Sequence, residues 1–261
     1  MKPSNLNIIN HSFEKQAENF ESSSMNFSNK DYINYVISSV KPSLSDTMLE
    51  VASGTCAVGR GFSPYLKNVV CLDATQAMLE AGKTEASKNS LNNIIFIKGY
   101  SEDLPFLTDS FDIVISRLAF HHFTDINRPF KEMARVLKPG GKLVIIDMEA
   151  SEEHLRKQRD KIETLRDPSH IRNLSISEIK KLYYDNSLEI TFSDKKIIPV
   201  CLDSWLALTK TPSSARAEIK ELMKDELQGK SKTGFAPYIR ENNIFFDQHW
   251  LLTIGIKTKS I

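Results

Sequence analysis

The chain has 261 residues, with 34 basic and 33 acidic side chains and a formal charge of +1. That length fits one α/β domain with elaborations, and the balanced charge removes the usual electrostatic argument for a nucleic-acid binder. The opening "MKPSNLNIIN" lacks the apolar core of a secretory signal, and apolar runs such as "KLVIIDM" are far too short to span a bilayer.

Residues 11–40 carry Phe13, Phe20, Phe27, Tyr32, Tyr35 and Val36, a pattern suited to one or two helices forming an N-terminal lid over a core. From about residue 47, β-rich runs alternate with helical patterns: "TMLEVAS", "NVVCLDA", "NIIFIKG", "FDIVISR" and "GKLVIIDM". Their near-continuous Val, Ile and Leu content predicts parallel strands buried on both faces. Thr75 is placed to N-cap a helix beginning "QAMLEA". Thr124 or Asp125 is placed to cap another, in which Phe130, Met133, Ala134 and Leu137 recur at helical spacing and which stops at "KPGG".

Residues 151–172 are densely charged and read as helical, and "SISE" at 175–178 is a capping box. "LEITFSDKKIIPV" and "NIFFDQHWLLTIGIK" read as late strands, with an amphipathic helical insertion at about 203–230 between them. The pattern predicts one domain over 1–261, an α/β Rossmann-like doubly wound, mostly parallel seven-stranded sheet with helical lid elements. Within it, 45–150 form a ligand-binding core, 151–240 a substrate lid and insertion, and 243–258 the final strand.

The stretch "LEVASGTCAVGRGF" at 49–62 turns from a strand through small residues, which lets backbone approach a ligand closely. As a dinucleotide fingerprint it lacks the middle glycine, although Asp73 lies at a suitable distance for ribose hydroxyls. Read as acid-x-G-x-G-x-G, it is occupied by Glu50, Ala52, Gly54 and Cys56. The three cysteines, Cys56, Cys71 and Cys201, follow no metal-ligand spacing. Cys71 reads as a buried thiol, a reduced cytoplasm is the expected setting, and no metal is expected.

With "VVCLDATQAMLEAG", "GYSEDLPFLTDSFDIVISRLAFHHF", "ARVLKPGGKLVIID" and "LRDPSHIRNLS" in the same order, the chain resembles the class I S-adenosylmethionine-dependent methyltransferases. The branch it is most similar to is that of the ubiquinone/menaquinone-biosynthesis C-methyltransferases. The resemblance implies S-adenosyl-L-methionine as methyl donor and a small-molecule acceptor. It implies cofactor contacts from Glu50, Ala52, Ser53, Gly54, Asp73, Ala74, Met78, Ser101, Glu102, Ser116 and Arg117. Asp73 would accept from both ribose hydroxyls, and Asp103 would join the adenine rim, anchored by Leu104 and Phe106. Tyr100 stands where the family often has aspartate, so Asp103 or backbone would take over there. Ala52 adds one methyl group, a small cost if its φ is negative.

For chemistry, Arg117, His121 and His122 follow the fourth strand, where ligands bind in this fold. His121 is a candidate base, whereas His122 reads as a packing or loop-bonding residue. "RDPSHIR" supplies a second candidate base, His170, and a candidate anion-binding Arg166, with Arg172 read as fixing the loop's shape. The fourth strand lacks the [DN]-P-P-[FY] signature of many base-methylating enzymes, which lowers the odds of a nucleic-acid substrate. A non-catalytic protein that binds S-adenosyl compounds and a dehydrogenase are the competing readings; the first is motivated by Ala52, Cys56 and Tyr100.

Overall fold

The computed structural model describes residues 4–17, 20 and 30–258. Five strands form the first part of the sheet: β1 (Thr47–Val51), β2 (Asn68–Asp73), β3 (Ile94–Lys98), β4 (Phe111–Arg117) and β5 (Leu137–Met148). They lie in the order β3-β2-β1-β4-β5 with every neighbouring pair parallel. β6 (Leu188–Cys201) and β8 (Asn243–Lys257) complete a seven-strand path ending β5-β8-β6, with β8 antiparallel to both neighbours. The expected mixed, mostly parallel Rossmann-like sheet is therefore present. A short β7 (Tyr238–Arg240), unforeseen in the sequence, adds to β8 off this path.

Alternation along the strands feeds two layers. On one face, Leu49, Val51, Val114 and Ile145 pack with Phe130, Met133, Ile179 and Tyr183. Those last four come from α5 (Asn127–Val136) and α7 (Ile176–Asp185). On the other face, Met48, Val69, Ile113, Ile115 and Val144 pack with Val36, Val58 and Phe62 from α2 (Lys30–Val40) and α3 (Ala57–Phe62). Phe130 and Met133 are wholly buried, each worth about 1.5–3 kcal/mol in transfer terms.

The insertion is two helices, α8 (Leu202–Leu208) and α9 (Ser213–Leu227). With Ile162 of α6 (Glu153–Arg166) they build a separate apolar cluster around Trp205, Met223 and Phe246. The charged stretch is helical only to Arg166, because Asp167, ahead of Pro168, is extended and a turn then brings the His170 amide to the Asp167 carbonyl at 3.0 Å.

Three local expectations change. Thr75 does precede α4 (Gln76–Lys88), but it makes no side-chain cap, and its hydroxyl bonds to Asn10 of α1 (Leu6–Gln16) at 3.2 Å. α5 starts after Ile126, while Asp125 accepts from the Asn127 amide at 2.9 Å. The helix ends at Val136, and "KPGG" belongs to β5, where Gly140 takes a φ of 80°. Phe27, counted with the lid, lies outside the described residues.

Candidate active site

The site begins where β1 stops. Ala52, Gly54 and Cys56 all have positive φ, at 52°, 54° and 60°, so every second residue of the turn is left-handed. Glycine occupies this region freely, whereas an L side chain there costs roughly 1–2 kcal/mol. The small cost expected at Ala52 assumed a negative φ, and the structure corrects it. The loop is pinned by carboxylates: Gly54 N–H donates to Asp73 Oδ2 at 2.7 Å, and Gly59 N–H donates to Glu50 Oε2 at 2.7 Å. Asp73 Oδ1 also accepts from the Thr75 amide at 2.8 Å. Burial pushes Glu50 up to about 7, against the pull of the Gly59 amide and of Arg117. Burial likewise raises Asp73, opposed by the amides of Thr75 and Gly54.

Cys71 is not the isolated thiol expected from sequence. β1 and β2 pair with Glu50 opposite Cys71, and this register sets Cys71 against the loop, where it forms a disulfide with Cys56 across a Cα separation of 5.9 Å. A sequence separation of 15 conceals that proximity. Cys201 is free. Glu50, Cys56 and Cys71 hold the closest set of potential metal-ligand atoms among the described residues, within 4.8 Å of one another; the two sulfurs are bonded to each other.

This loop floors a cavity of about 1220 Å³, counting its solvent mouth. Around the loop the wall is made by Glu50, Ala52, Ser53, Gly54, Asp73 and Ala74, and beyond them by Tyr100, Ser101 and Glu102. Ser53 Oγ and Thr55 Oγ1 are buried there without a hydrogen-bond partner among the described residues. Glu102 accepts from Ser101 Oγ at 3.0 Å, and Leu104 and Phe106 anchor the segment as anticipated, Phe106 edge-on to Phe111. Asp103 does not share in this wall: its carboxylate is exposed.

At the other end the wall is formed by Phe13, Gln16, His121, His122, Arg166 and Trp205, among others. A short 3-10 turn over Phe120–His122 follows β4 and sets the two imidazoles with ring centroids 4.1 Å apart. His121 Nδ1 lies 2.6 Å from Asp147 Oδ1 at the end of β5, and its backbone N–H reaches Oδ2 at 3.3 Å. Burial lowers the affinity of His121 for a proton, but the charge and hydrogen bond of Asp147 outweigh it, so the pKa stands above 6.5. His122 behaves oppositely. Burial and the neighbouring His121 depress it to about 3, so the ring is neutral. Arg166 donates from Nε to the Trp205 carbonyl at 3.1 Å and stacks over the indole at 4.5 Å. Arg117 lies over Trp250 at 5.1 Å and Tyr32 at 5.8 Å.

The structure thus gathers Glu50, Ala52, Ser53, Gly54, Asp73, Ala74, Ser101, Glu102, Arg117, His121 and Arg166 around one cavity. Besides Asp103, three expected residues stand apart from its wall. Met78 is core, wholly buried on α4. Ser116 is buried within β4. His170 is bonded through Nε2 to Asp160 at 3.0 Å, behind the wall. Arg172 ties the loop to Glu178 at 2.6 Å, in the shape-fixing role expected of it. His122 bonds the 167–173 loop through Ser169 Oγ, 3.0 Å from its Nδ1, as its loop-bonding reading has it, and also stands in the wall. Sequence reasoning also passed over Asp147, Gln16, Trp205 and Gln248. Of these only Asp147 carried a legible signal, an acid at the carboxyl end of a buried strand.

Residues 49–145 match the family model described as a methyltransferase domain. Over 208 residues the chain is 32% identical to YcgJ of Bacillus subtilis, a methyltransferase that is itself uncharacterised, covering 79% of this chain and 82% of that protein. The chain belongs to the class I S-adenosylmethionine-dependent methyltransferases. The YcgJ crystal structure superposes on this methyltransferase with a TM-score of 0.79 and 30% identity over 88% of this chain and 99% of that one. A Bacillus halodurans structure, also at 0.79 but 23% identical, covers 89% and 100% and speaks to fold alone. The ubiquinone/menaquinone C-methyltransferase UbiE of Shewanella frigidimarina is 31% identical over 115 residues, 42% of this chain and 46% of that protein.

S-adenosylmethionine is accordingly the methyl donor, and the residues present fit it. The Ser53 and Thr55 hydroxyls, without a partner among the described residues, the left-handed turn at Gly54, the buried Glu50 and the half-buried Asp73 line one cavity together. Among the described residues no helix is long and apolar enough to cross a membrane.

Proposed function

We propose that this methyltransferase alkylates a small-molecule acceptor whose nucleophile is released by loss of a proton to His121. The observation that carries the reading is the buried His121–Asp147 pair at 2.6 Å in the wall of the donor cavity. Asp147, held low by His121 although burial opposes it, is ionised and can only accept. Nδ1 of His121 therefore bears the proton, and Nε2 is left to take one from the acceptor.

The remaining roles follow from position. Asp73 would accept from ribose hydroxyls, Glu50 and Gly54 would shape the turn beside the methionine portion, and Ser101 with Glu102 would meet the adenine edge. Bound there, the donor supplies an electrophilic methyl on a sulfonium. The protein aligns the nucleophile in line and excludes water. Arg166 and Arg117 offer positive charge to an acceptor that becomes anionic. In this reading 45–150 hold the donor, while 11–40 and 151–240 enclose the acceptor. A cytoplasmic setting belongs to the same proposal.

The test is kinetic, with S-adenosylhomocysteine release followed across an acceptor panel. His121→Ala is expected to lower kcat/KM by roughly 10²–10⁴-fold, with S-adenosylhomocysteine affinity by calorimetry within about threefold of wild type. The wild-type rate should rise with pH through a value above 6.5, because only the deprotonated ring accepts. Asp147→Asn should move that limb to lower pH. Equal activity in His121→Ala would remove the base from the reading and leave alignment alone.

A further inference from the structure

The second histidine is wired differently from the first. Asp167 stays ionised: burial pushes its carboxyl up, but Arg166 and the Ser169 hydrogen bonds hold it well below the usual carboxylate range. An ionised carboxylate only accepts, so Ser169 Oγ gives its single proton to Asp167 Oδ1 at 2.6 Å. The same hydroxyl lies 3.0 Å from His122 Nδ1 and has only lone pairs left to offer. His122 must bring the proton. It is therefore an Nδ1–H imidazole with its lone pair on Nε2.

The far side of this relay is also closed. Asp167 Oδ2 accepts from Gln16 Nε2 at 3.1 Å, so helix α1 holds the carboxylate from behind. Phe13 of the same helix stands edge-on to the His122 ring, with centroids 5.1 Å apart. Both histidines line the cavity, and both use Nδ1 within the wall. The nitrogen that each has left is Nε2, and in the reactive state both are lone-pair acceptors on adjacent residues. Around them Phe13, Phe123 and Trp205 supply flat apolar surface.

We propose that the site selects acceptors carrying two adjacent O–H or N–H donors on a planar apolar body. One donor loses its proton to His121, and its neighbour donates a hydrogen bond to Nε2 of His122. The inference rests on His121 as the base. His122 is a specificity-determining residue, and Ser169, Asp167 and Gln16 are positioning residues that act through it. A single-donor molecule would leave one buried lone pair unmatched, which sites of this kind discriminate against.

The test uses the full chain loaded with S-adenosylhomocysteine, titrated calorimetrically with 1,2-dihydroxybenzene, 1,3-dihydroxybenzene and phenol. The 1,2-isomer is expected to bind on the order of tenfold more tightly than the other two. In Ser169→Ala this preference should shrink below about threefold, because the relay no longer fixes the tautomer. Equal affinities in the wild type, or no binding of any of the three, would overturn the proposal. An undiminished preference in Ser169→Ala would overturn the relay.

Long-range proton–nitrogen correlation spectra of histidine-labelled wild-type protein give a readout that needs neither a variant nor an acceptor. His122 should be the neutral Nδ1–H form at pH 7, and an Nε2–H or doubly protonated ring would refute the assignment. The neutral tautomer of His121 is read from its own signals at higher pH. A wrong tautomer there would defeat the base alone, which keeps the two failures apart.

Discussion

Ala52 is a residue whose side chain works against its backbone. Its φ of 52° suits glycine; the turn is held by the Asp73 and Glu50 hydrogen bonds, and the methyl group packs only partly buried against the core. Ala52→Gly should therefore raise stability by about 1 kcal/mol, net of the extra freedom glycine brings to the unfolded chain. Denaturant titration checks this, and a loss of stability would mean that the methyl packs usefully.

His122 makes a second prediction at this scale. Its folded pKa of about 3 lies below the unfolded value near 6.5. Protons then favour the unfolded chain, so its contribution to stability is complete above 6.5 and declines as pH falls towards 3. His121, with a raised folded pKa, contributes in the opposite sense: its stabilisation is present below 6.5 and is lost as pH rises through the folded value. The difference between wild type and His122→Gln isolates the first effect. Between pH 7 and 5 wild type should lose about 2 kcal/mol relative to the variant. Parallel curves would show that His122 takes up its proton at the same pH in the folded and unfolded chain.

Among the elements, α7 has the best-defined start. Ser175 Oγ accepts from the Glu178 amide at 3.2 Å, and Glu178 Oε2 accepts from the Ser175 amide at 2.8 Å. Glu178 also holds Arg156 at 2.7 Å and Arg172 at 2.6 Å. Ser175→Ala should cost about 1 kcal/mol by thermal unfolding, through the lost cap. A neutral substitution would show that Glu178 secures this helix end through its arginines alone.

That capping box was legible in the sequence, and so were the strands, because burial on both faces writes itself as unbroken Val, Ile and Leu. Asp73 and Glu50 were legible for a related reason: their distance from the turn is fixed by strand geometry. The far end of the cavity was not. His121 finds Asp147 26 residues away, and Asp167 finds Gln16 across 151. No local period records such pairings. Met78 stands away from the wall for the opposite reason: it follows β2 closely in sequence, but helical phase turns it into the core. β7 has only three residues, too few for alternation to register.

Taken whole, the molecule links the turn after β1 to β2 through Cys56 and Cys71 and leaves Cys201 free. Under denaturing conditions, one thiol per chain should react with an alkylating reagent before reduction and three after it, read by intact mass. Three reactive thiols without reductant would mean that the pair is open in solution. The answer also bears on setting, since a reducing cytoplasm opposes such bonds.

Helix α1 lies across the cavity and is tied down at several points. Asn5 donates to the His122 carbonyl at 3.1 Å, Asn10 meets Thr75, and Gln16 reaches Asp167. Every one of these anchors comes later in the chain than the helix itself, the last by 151 residues. At a ribosomal pace of roughly 5–20 residues per second, α1 waits about 8–30 s for its final anchor to be made. It is short, and an isolated helix of that length is marginal in water. The cavity's roof is thus drafted first and fastened in stages, at Thr75 early and at Asp167 last.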